Sequence, residues 1–126
     1  MLDGLSILVV EDEPMLALDL ASTIEDLGGI VIGPVATVAE ALLLLERERI
    51  AAAVLDANLA DRDITPVVLR FIAEAVPFVI HTGTGLPAVL AAEHPALPVV
   101  MKPTRSAEVI ATLVDRMKTS GTAPAR

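Results

Sequence analysis

The sequence contains no cysteine, tryptophan or tyrosine, and phenylalanine occurs only twice among its 126 residues. Without cysteine, the chain forms no disulfide and has no thiolate for catalysis or metal binding. Because aromatic residues make up only 2% of the chain, the core has to be built from Val, Ile, Leu and Ala. That set of residues favours strands that are covered by helices on both faces.

Basic residues are also scarce, with 9 Lys and Arg against 17 Asp and Glu, so the net charge is −8. This charge opposes binding to nucleic acid and favours cationic or metal partners. No apolar run reaches the ~18 residues that a membrane-spanning helix needs, and the first residues lack the basic segment of a secretory signal. We therefore expect no nucleic-acid or membrane partner and a cytoplasmic location.

The length suits one folded domain with a sizeable core, since 54% of the residues are hydrophobic and 21% are charged. We expect this domain to span residues 1–118. The remaining residues, 119–126, are small and polar ("TSGTAPAR"), and we predict a disordered C-terminal tail there.

Short apolar runs alternate with helix-period segments along the chain. This alternation predicts five strand–helix units, (βα)₅, with a parallel sheet, right-handed crossovers and helices on both faces. The predicted strands are Ser6–Val10, "IVIGPV" from Ile30, "AAAVLD" ending on Asp56, "PFVIHTG" and "LPVVMKP".

The predicted helices have recognisable starts and stops. Pro14 begins the first helix, which Gly28 and Gly29 end. Side-chain caps from Thr37, Thr65 and Ser106 begin three others. The second helix is predicted to end at Glu48, the third near Ala75, and a short, weak fourth helix covers Pro87 to Glu93.

Polar side chains follow the predicted strands at one edge of the sheet. Glu11 and Asp12 follow the first strand, Asp56 ends the third, Thr82 the fourth and Lys102 the fifth. Open α/β sheets bind their ligands beyond the carboxyl ends of the strands. We therefore expect these side chains to form the functional site.

The residue types at this edge indicate phosphoryl chemistry. A cluster of Glu11, Asp12 and Asp56 offers only oxygen ligands, which suits Mg²⁺. Lys102 adds a positive charge and Thr82 a hydroxyl donor, and such groups stabilise the oxygens of a phosphoryl group in transfer. Asp56 stands alone at the end of its strand, so it is the predicted nucleophile.

Four motifs in this order resemble the receiver domain of two-component response regulators, over about residues 5–117. The matching residues are the acidic pair after "ILVV", Asp56 after "AAVL", Thr82 after "PFVIH", and Lys102 followed by Pro103. The resemblance implies a doubly wound, flavodoxin-like fold with a five-stranded parallel sheet in the order 2-1-3-4-5.

The resemblance also implies a role for each matching residue. Asp56 would accept a phosphoryl group from a histidine kinase or phosphotransfer protein, and Thr82 and Lys102 would turn toward it. Mg²⁺ would be held by Glu11, Asp12, Asp56 and the backbone carbonyl of Asn58. The Lys102–Pro103 bond would be cis. The domain would be a regulatory phosphoacceptor with at most slow autodephosphorylation, not an enzyme.

A narrower resemblance concerns "PFVIHTGTG", which is similar to the "PFxFATGY" signature of single-domain receivers known as the FAT GUY group. "LDANL" around Asp56 likewise resembles the "LDVNL" of that group. Ile80, His81 and Thr84 depart from the signature. We expect a single-domain receiver that signals through protein contact or a phosphorelay, since only a short tail follows Met117.

Val99 departs from the receiver pattern, because most receivers have an aromatic residue three positions before the lysine. A valine side chain has no comparable rotamer swing. We hypothesise that phosphorylation instead orders the "HTGTGLP" loop and the weak helix after it, using backbone N–H groups and Thr82.

Two other titratable residues have simpler interpretations. Glu13 is interpreted as only a charge at the start of the first helix, where acids are favoured. His81, a lone histidine near a strand end, is interpreted as packed or solvated and not as a catalytic base.

Three other functions stay open. "HTGTG" is similar to glycine-rich loops that bind flavin or nucleotide phosphates, although such loops follow the first strand. A second possible function is a phosphohydrolase that uses an Asp nucleophile and Mg²⁺. Such an enzyme needs a second acid two residues after the nucleophile as general acid, and this chain has Asn58 there. The third is a degenerate receiver that acts as a binding module without phosphorylation.

Overall fold

Five parallel strands form one sheet in the computed structural model, which describes residues 1–119. The strand order is β2-β1-β3-β4-β5, as expected for the doubly wound receiver fold. Residues 120–126 of the predicted tail lie outside the described residues. The strands are β1 (Ser6–Val10), β2 (Ile30–Val35), β3 (Ala52–Leu55), β4 (Phe78–Thr82) and β5 (Val99–Met101).

Five helices connect and cover the strands. Their bounds differ from the predicted ones by one residue at three ends, because Glu48 and Ala75 are C-caps and Pro87 is an N-cap. The helices are α1 (Pro14–Asp26), α2 (Val38–Arg47), α3 (Thr65–Glu74), α4 (Ala88–Glu93) and α5 (Ser106–Thr119).

Alternate residues of the central strands pack into two separate cores, because successive side chains of a β-strand point to opposite faces of the sheet. Leu8 and Val10 of β1 face the core that α2, α3 and α4 cover. Ile7 and Val9 face the core that α1 and α5 cover. Both faces of the central sheet are therefore apolar, which explains why its strands read as continuous hydrophobic runs.

The strand register aligns the carboxyl ends of the central strands. Val10 pairs with Val35 on one side and with Leu55 on the other. Thr82 pairs with Met101 at the far edge of the sheet. The residues that follow these strands therefore emerge at the same edge.

One of the three predicted side-chain caps is confirmed. The Thr37 hydroxyl accepts a hydrogen bond from the Glu40 N–H (3.1 Å) at the start of α2. The prediction for Thr65 is wrong, because Thr65 is the first helical residue and donates its N–H to the Asp63 carboxylate (2.9 Å). A nearby acid thus takes the role that the hydroxyl was expected to fill.

The predicted Ser106 cap is also wrong. Ser106 is the first residue of α5, and its hydroxyl donates to Asp19 Oδ2 of α1 at 2.6 Å. The Ser106 side chain therefore joins two helices instead of capping one.

Across residues 1–119, no helix combines the length and apolar character that crossing a bilayer requires.

Candidate functional site

Three carboxylates converge beyond the ends of β1 and β3. One oxygen from each of Glu11, Asp12 and Asp56 lies within 4.8 Å of the other two. The backbone places them there, since the Asp56 N–H donates to the Val10 carbonyl (2.8 Å) and the Glu11 N–H to the Val35 carbonyl (2.9 Å). Glu11 and Asp56 are buried, whereas Asp12 is exposed.

Burial and repulsion between neighbouring carboxylates disfavour the charged forms of Glu11 and Asp56. Burial raises the pKa of Glu11 to about 7, and the charge of Asp56 adds to this, while the Glu13 N–H (3.1 Å) opposes it. Burial also raises the pKa of Asp56, against the attraction of Lys102. A divalent cation would relieve this unfavourable charge.

Lys102 supplies positive charge from the end of β5. Its Nζ lies 3.2 Å from Glu11, 3.5 Å from Asp56 and 3.0 Å from Glu13. Burial lowers the pKa of Lys102, but the Glu13 hydrogen bond and the charges of the two other acids outweigh it, so the pKa is raised overall. The following bond to Pro103 is cis, as expected, and the Gly33–Pro34 bond is also cis.

Hydrogen bonds around Thr82 link the ends of β3 and β4. The Thr82 hydroxyl accepts from the Thr84 N–H at 3.1 Å and lies 3.3 Å from the Thr84 hydroxyl. The Asn58 side-chain amide donates to the Thr84 hydroxyl at 2.9 Å. Thr82 is buried, and its carbonyl accepts from the Lys102 N–H at 2.8 Å, which ties β4 to β5.

His81 is buried on the opposite side of β4 from its neighbour Thr82, as strand alternation requires. Neither ring nitrogen has a hydrogen-bonding partner within residues 1–119. Burial lowers the pKa of His81, and the charge of Lys102 lowers it further. The side chain is therefore a packed, neutral imidazole, which agrees with the packed interpretation.

The structure brings together most of the residues that the sequence singled out. Glu11, Asp12, Asp56 and Lys102 form one cluster, and Thr82 lies at the adjoining strand end. The view of Glu13 as only a helix-start charge needs correction, because its carboxylate contacts Lys102.

The sequence reasoning missed two polar residues, Thr84 and Asp61. The role of Thr84 could have been predicted from the sequence. Thr84 follows Thr82 by two positions and Asn58 follows Asp56 by two positions, so both polar side chains lie just beyond neighbouring strand ends. Asp61 contacts the first turn of α2 from 22 and 23 residues away, and no local pattern signals such a contact.

A parallel sheet in this order, with an acid cluster, a lysine and a threonine at its carboxyl edge, defines a receiver domain. The solved structures similar to this chain agree. The solution structure of SdrG from Sphingomonas melonis Fr1 is 38% identical, with 87% of this chain and 96% of that chain covered and a TM-score of 0.71. The chain belongs to the response regulator receiver family.

Two further structures extend the comparison. A response regulator receiver protein from Sinorhizobium medicae WSM419 is 28% identical, with 95% and 99% of the two chains covered and a TM-score of 0.78. The receiver domain of a sensor histidine kinase from Pseudomonas aeruginosa PAO1 is 24% identical, with 91% and 98% covered and a TM-score of 0.75. That structure has a magnesium ion coordinated in its active-site cleft. No family model matches this chain, and no curated protein matches its sequence.

Proposed function

We propose that this chain is a response regulator that accepts a phosphoryl group on Asp56. The observation that carries the proposal is the convergence on Asp56 of Lys102 Nζ, at 3.5 Å, and of two further carboxylates. A nucleophile, a cation and a set of oxygen ligands are the parts that phosphoryl transfer to a carboxylate needs.

The acid cluster fits Mg²⁺ as the metal. Its ligand atoms are hard oxygens, and the exposed Asp12 leaves one side of the cluster open to water, which Mg²⁺ retains in proteins. Glu11, Asp12, Asp56 and the Asn58 carbonyl would hold it. When bound, the metal supplies positive charge to the phosphoryl oxygens. The magnesium ion in the Pseudomonas receiver structure supports this choice.

The transfer itself is a substitution at phosphorus. A carboxylate oxygen of Asp56 forms the new O–P bond while the N–P bond to a donor histidine breaks, and the imidazole leaves with the bonding electron pair. Lys102 balances the charge of the phosphoryl oxygens. The Thr82 hydroxyl gives up its hydrogen bond from the Thr84 N–H and donates to one of these oxygens.

The domain would be a regulatory phosphoacceptor with at most slow autodephosphorylation, as receiver domains generally are. We further propose that it is a single-domain receiver of the FAT GUY group that acts in the cytoplasm. Its phosphodonor would be a histidine kinase or phosphotransfer protein, and its output would pass through protein contact or a phosphorelay. The "PFVIHTG" and "LDANL" segments support this subgroup.

The test is phosphorylation by acetyl phosphate with Mg²⁺, followed by intact-mass spectrometry. We expect the wild type to gain one phosphoryl group and Asp56→Asn to gain none. Asp26→Asn, which changes an exposed acid at the end of α1, serves as the matched control and should be phosphorylated like the wild type. Equal phosphorylation of wild type and Asp56→Asn, or none in either, would overturn the proposal.

A further inference from the structure

Asp61 stands at the tip of the β3–α3 loop and contacts the start of α2. Its Oδ1 accepts from the Val38 N–H and its Oδ2 from the Ala39 N–H, both at 3.0 Å. The side chain is exposed, yet these two donors hold the pKa of Asp61 below its usual value. The carboxylate therefore stays ionised and bound to the helix start at neutral pH.

The loop that carries Asp61 is closed on itself. The Ile64 N–H donates to the Ala57 carbonyl (2.8 Å), and the Leu59 N–H donates to the Arg62 carbonyl (3.1 Å). Asn58 and Asp63 form an antiparallel bridge between these two bonds. The loop is thus a small hairpin, whose backbone hydrogen bonds join the tip that carries Asp61 to the segment that carries Asn58.

The start of α2 is in turn connected to the other side of the acid cluster. Val35, the last residue of β2, accepts from the Glu11 N–H at 2.9 Å, and α2 begins three residues later at Val38. Asp61 therefore links the segment that carries Asn58 to the segment that positions Glu11. The sheet makes the other connection, through the Asp56 N–H and the Val10 carbonyl at 2.8 Å.

The N-terminus of α2 also has a local cap. Thr37 accepts from the Glu40 N–H at 3.1 Å, and the Glu40 carboxylate accepts from the Ala36 N–H at 3.3 Å. These contacts between Thr37, Glu40 and Ala36 stabilise the start of α2 and involve no residue of the β3–α3 loop. Thr37 and Asp61 thus contact the same helix turn, and of these two only Asp61 connects that turn to the β3–α3 loop.

We propose that Asp61 is a positioning residue for metal binding, which holds the Asn58 carbonyl in place relative to Glu11 and Asp12 by binding the first turn of α2. The inference rests on the proposed function, because it takes the Asn58 carbonyl as a Mg²⁺ ligand. Groups that orient a metal ligand without touching the metal contribute strongly to metal affinity.

The test compares Asp61→Ala, Asp61→Asn and the control Thr37→Ala in Mg²⁺ titrations followed by the amide NMR shifts of Asn58 and Leu59. We expect Asp61→Ala to raise the apparent Kd for Mg²⁺ by about tenfold, as for other residues that support a metal ligand. Asp61→Asn keeps one acceptor oxygen and should lie between Asp61→Ala and the wild type. Thr37→Ala removes a cap of the same helix and should bind Mg²⁺ like the wild type.

A second measurement distinguishes a positioning effect of Asp61 on Mg²⁺ affinity from an effect of its charge. The charge of Asp61 is screened at high salt, whereas its contacts with α2 are not lost. The Asp61→Ala defect should persist at about 0.5 M salt, and saturating Mg²⁺ should restore phosphorylation by acetyl phosphate to the wild-type rate. Thermal unfolding of each variant checks that it is folded.

The outcomes are distinguishable. If the wild type binds no Mg²⁺, the proposed function fails. If the wild type binds Mg²⁺ but Asp61→Ala matches Thr37→Ala, the positioning role is wrong. Equal defects in the Ala and Asn variants that vanish at high salt would also overturn it, because they would show an effect of charge alone.

Discussion

The Lys102 ammonium lies 3.0 Å from the Glu13 carboxylate, closer than its 3.2 Å to Glu11 and 3.5 Å to Asp56. The Glu13 side chain is 63% exposed, whereas that of Glu11 is 1% exposed. An ion pair with so exposed a partner is weak, because solvent screens it. In the phosphorylated state proposed for Asp56, Glu13 would compete with the phosphoryl group for the same ammonium.

Replacing Glu13 should therefore favour the phosphorylated state. At saturating Mg²⁺, we expect Glu13→Gln to tighten beryllofluoride binding by about twofold, the effect of one weak surface ion pair. The measurement is a calorimetric titration at low and high salt, and the gain should shrink as salt increases. Glu25→Gln, which changes an exposed acid near the other end of α1, is the control and should bind like the wild type. Weaker binding by Glu13→Gln would show that Glu13 assists Lys102 and does not compete for it.

The buried His81 should make the protein less stable in acid. Its folded-state pKa is lowered, so below the unfolded value of about 6.5 the unfolded chain takes up a proton first and stability is lost as pH falls. His81→Leu removes this loss and also a buried polar group without partners within residues 1–119.

We expect His81→Leu to raise the free energy of unfolding by about 1 kcal/mol at neutral or higher pH. The gain should be larger at about pH 5.5, where the unfolded histidine is protonated to a greater extent than the folded one. Urea unfolding at both pH values, with Mg²⁺ present throughout, measures the difference. A gain that is the same at both pH values would contradict the lowered pKa.

The loop after β4 should become more ordered on phosphorylation. Thr84 already donates to Thr82 and accepts from Asn58, but Gly83 and Gly85 flank it. We expect amide exchange in residues 83–93 to slow when beryllofluoride and Mg²⁺ are added to the wild type. Asp56→Asn should show no change under the same conditions. Unchanged exchange in the wild type would rule out this loop as the element that replaces the missing aromatic at Val99.

The Ser106 hydroxyl should stabilise the packing of α5 on α1. Its 2.6 Å hydrogen bond to Asp19 is part-buried and has a charged acceptor. We expect Ser106→Ala to lower the free energy of unfolding by about 1 kcal/mol, as measured by urea denaturation. Thr112→Ala removes a bond to the Glu108 carbonyl within α5 and is the matched control with a smaller effect. Equal losses would show that the bond to Asp19 adds nothing beyond local helix contacts.

The ends of the strands could be predicted from the sequence because they depend on local patterns of apolar and polar residues. The run before Glu11 and Asp12, and the run before Asp56, are apolar along their whole length and are followed at once by acids. In a parallel sheet such ends meet at one edge, so the acid cluster could be predicted before any packing was known.

Helix starts were less predictable, because several polar groups compete for the same N–H groups. Thr65 is a suitable cap by residue type, but the Asp63 carboxylate is the acceptor for its N–H. Ser106 is equally suitable, but Asp19 of another helix accepts its hydroxyl. Which partner is nearest depends on how the loops and helices pack.

The strand–helix alternation, the two-sided burial of the sheet and the acids at its carboxyl edge can be predicted from the chain alone, since each depends on residues that are close in sequence. The contact of Glu13 with Lys102, 89 residues away, and that of Asp61 with the start of α2 arise from tertiary packing. Such contacts form between flexible polar side chains on separate elements. They depend on distances of a few ångströms that no periodicity encodes.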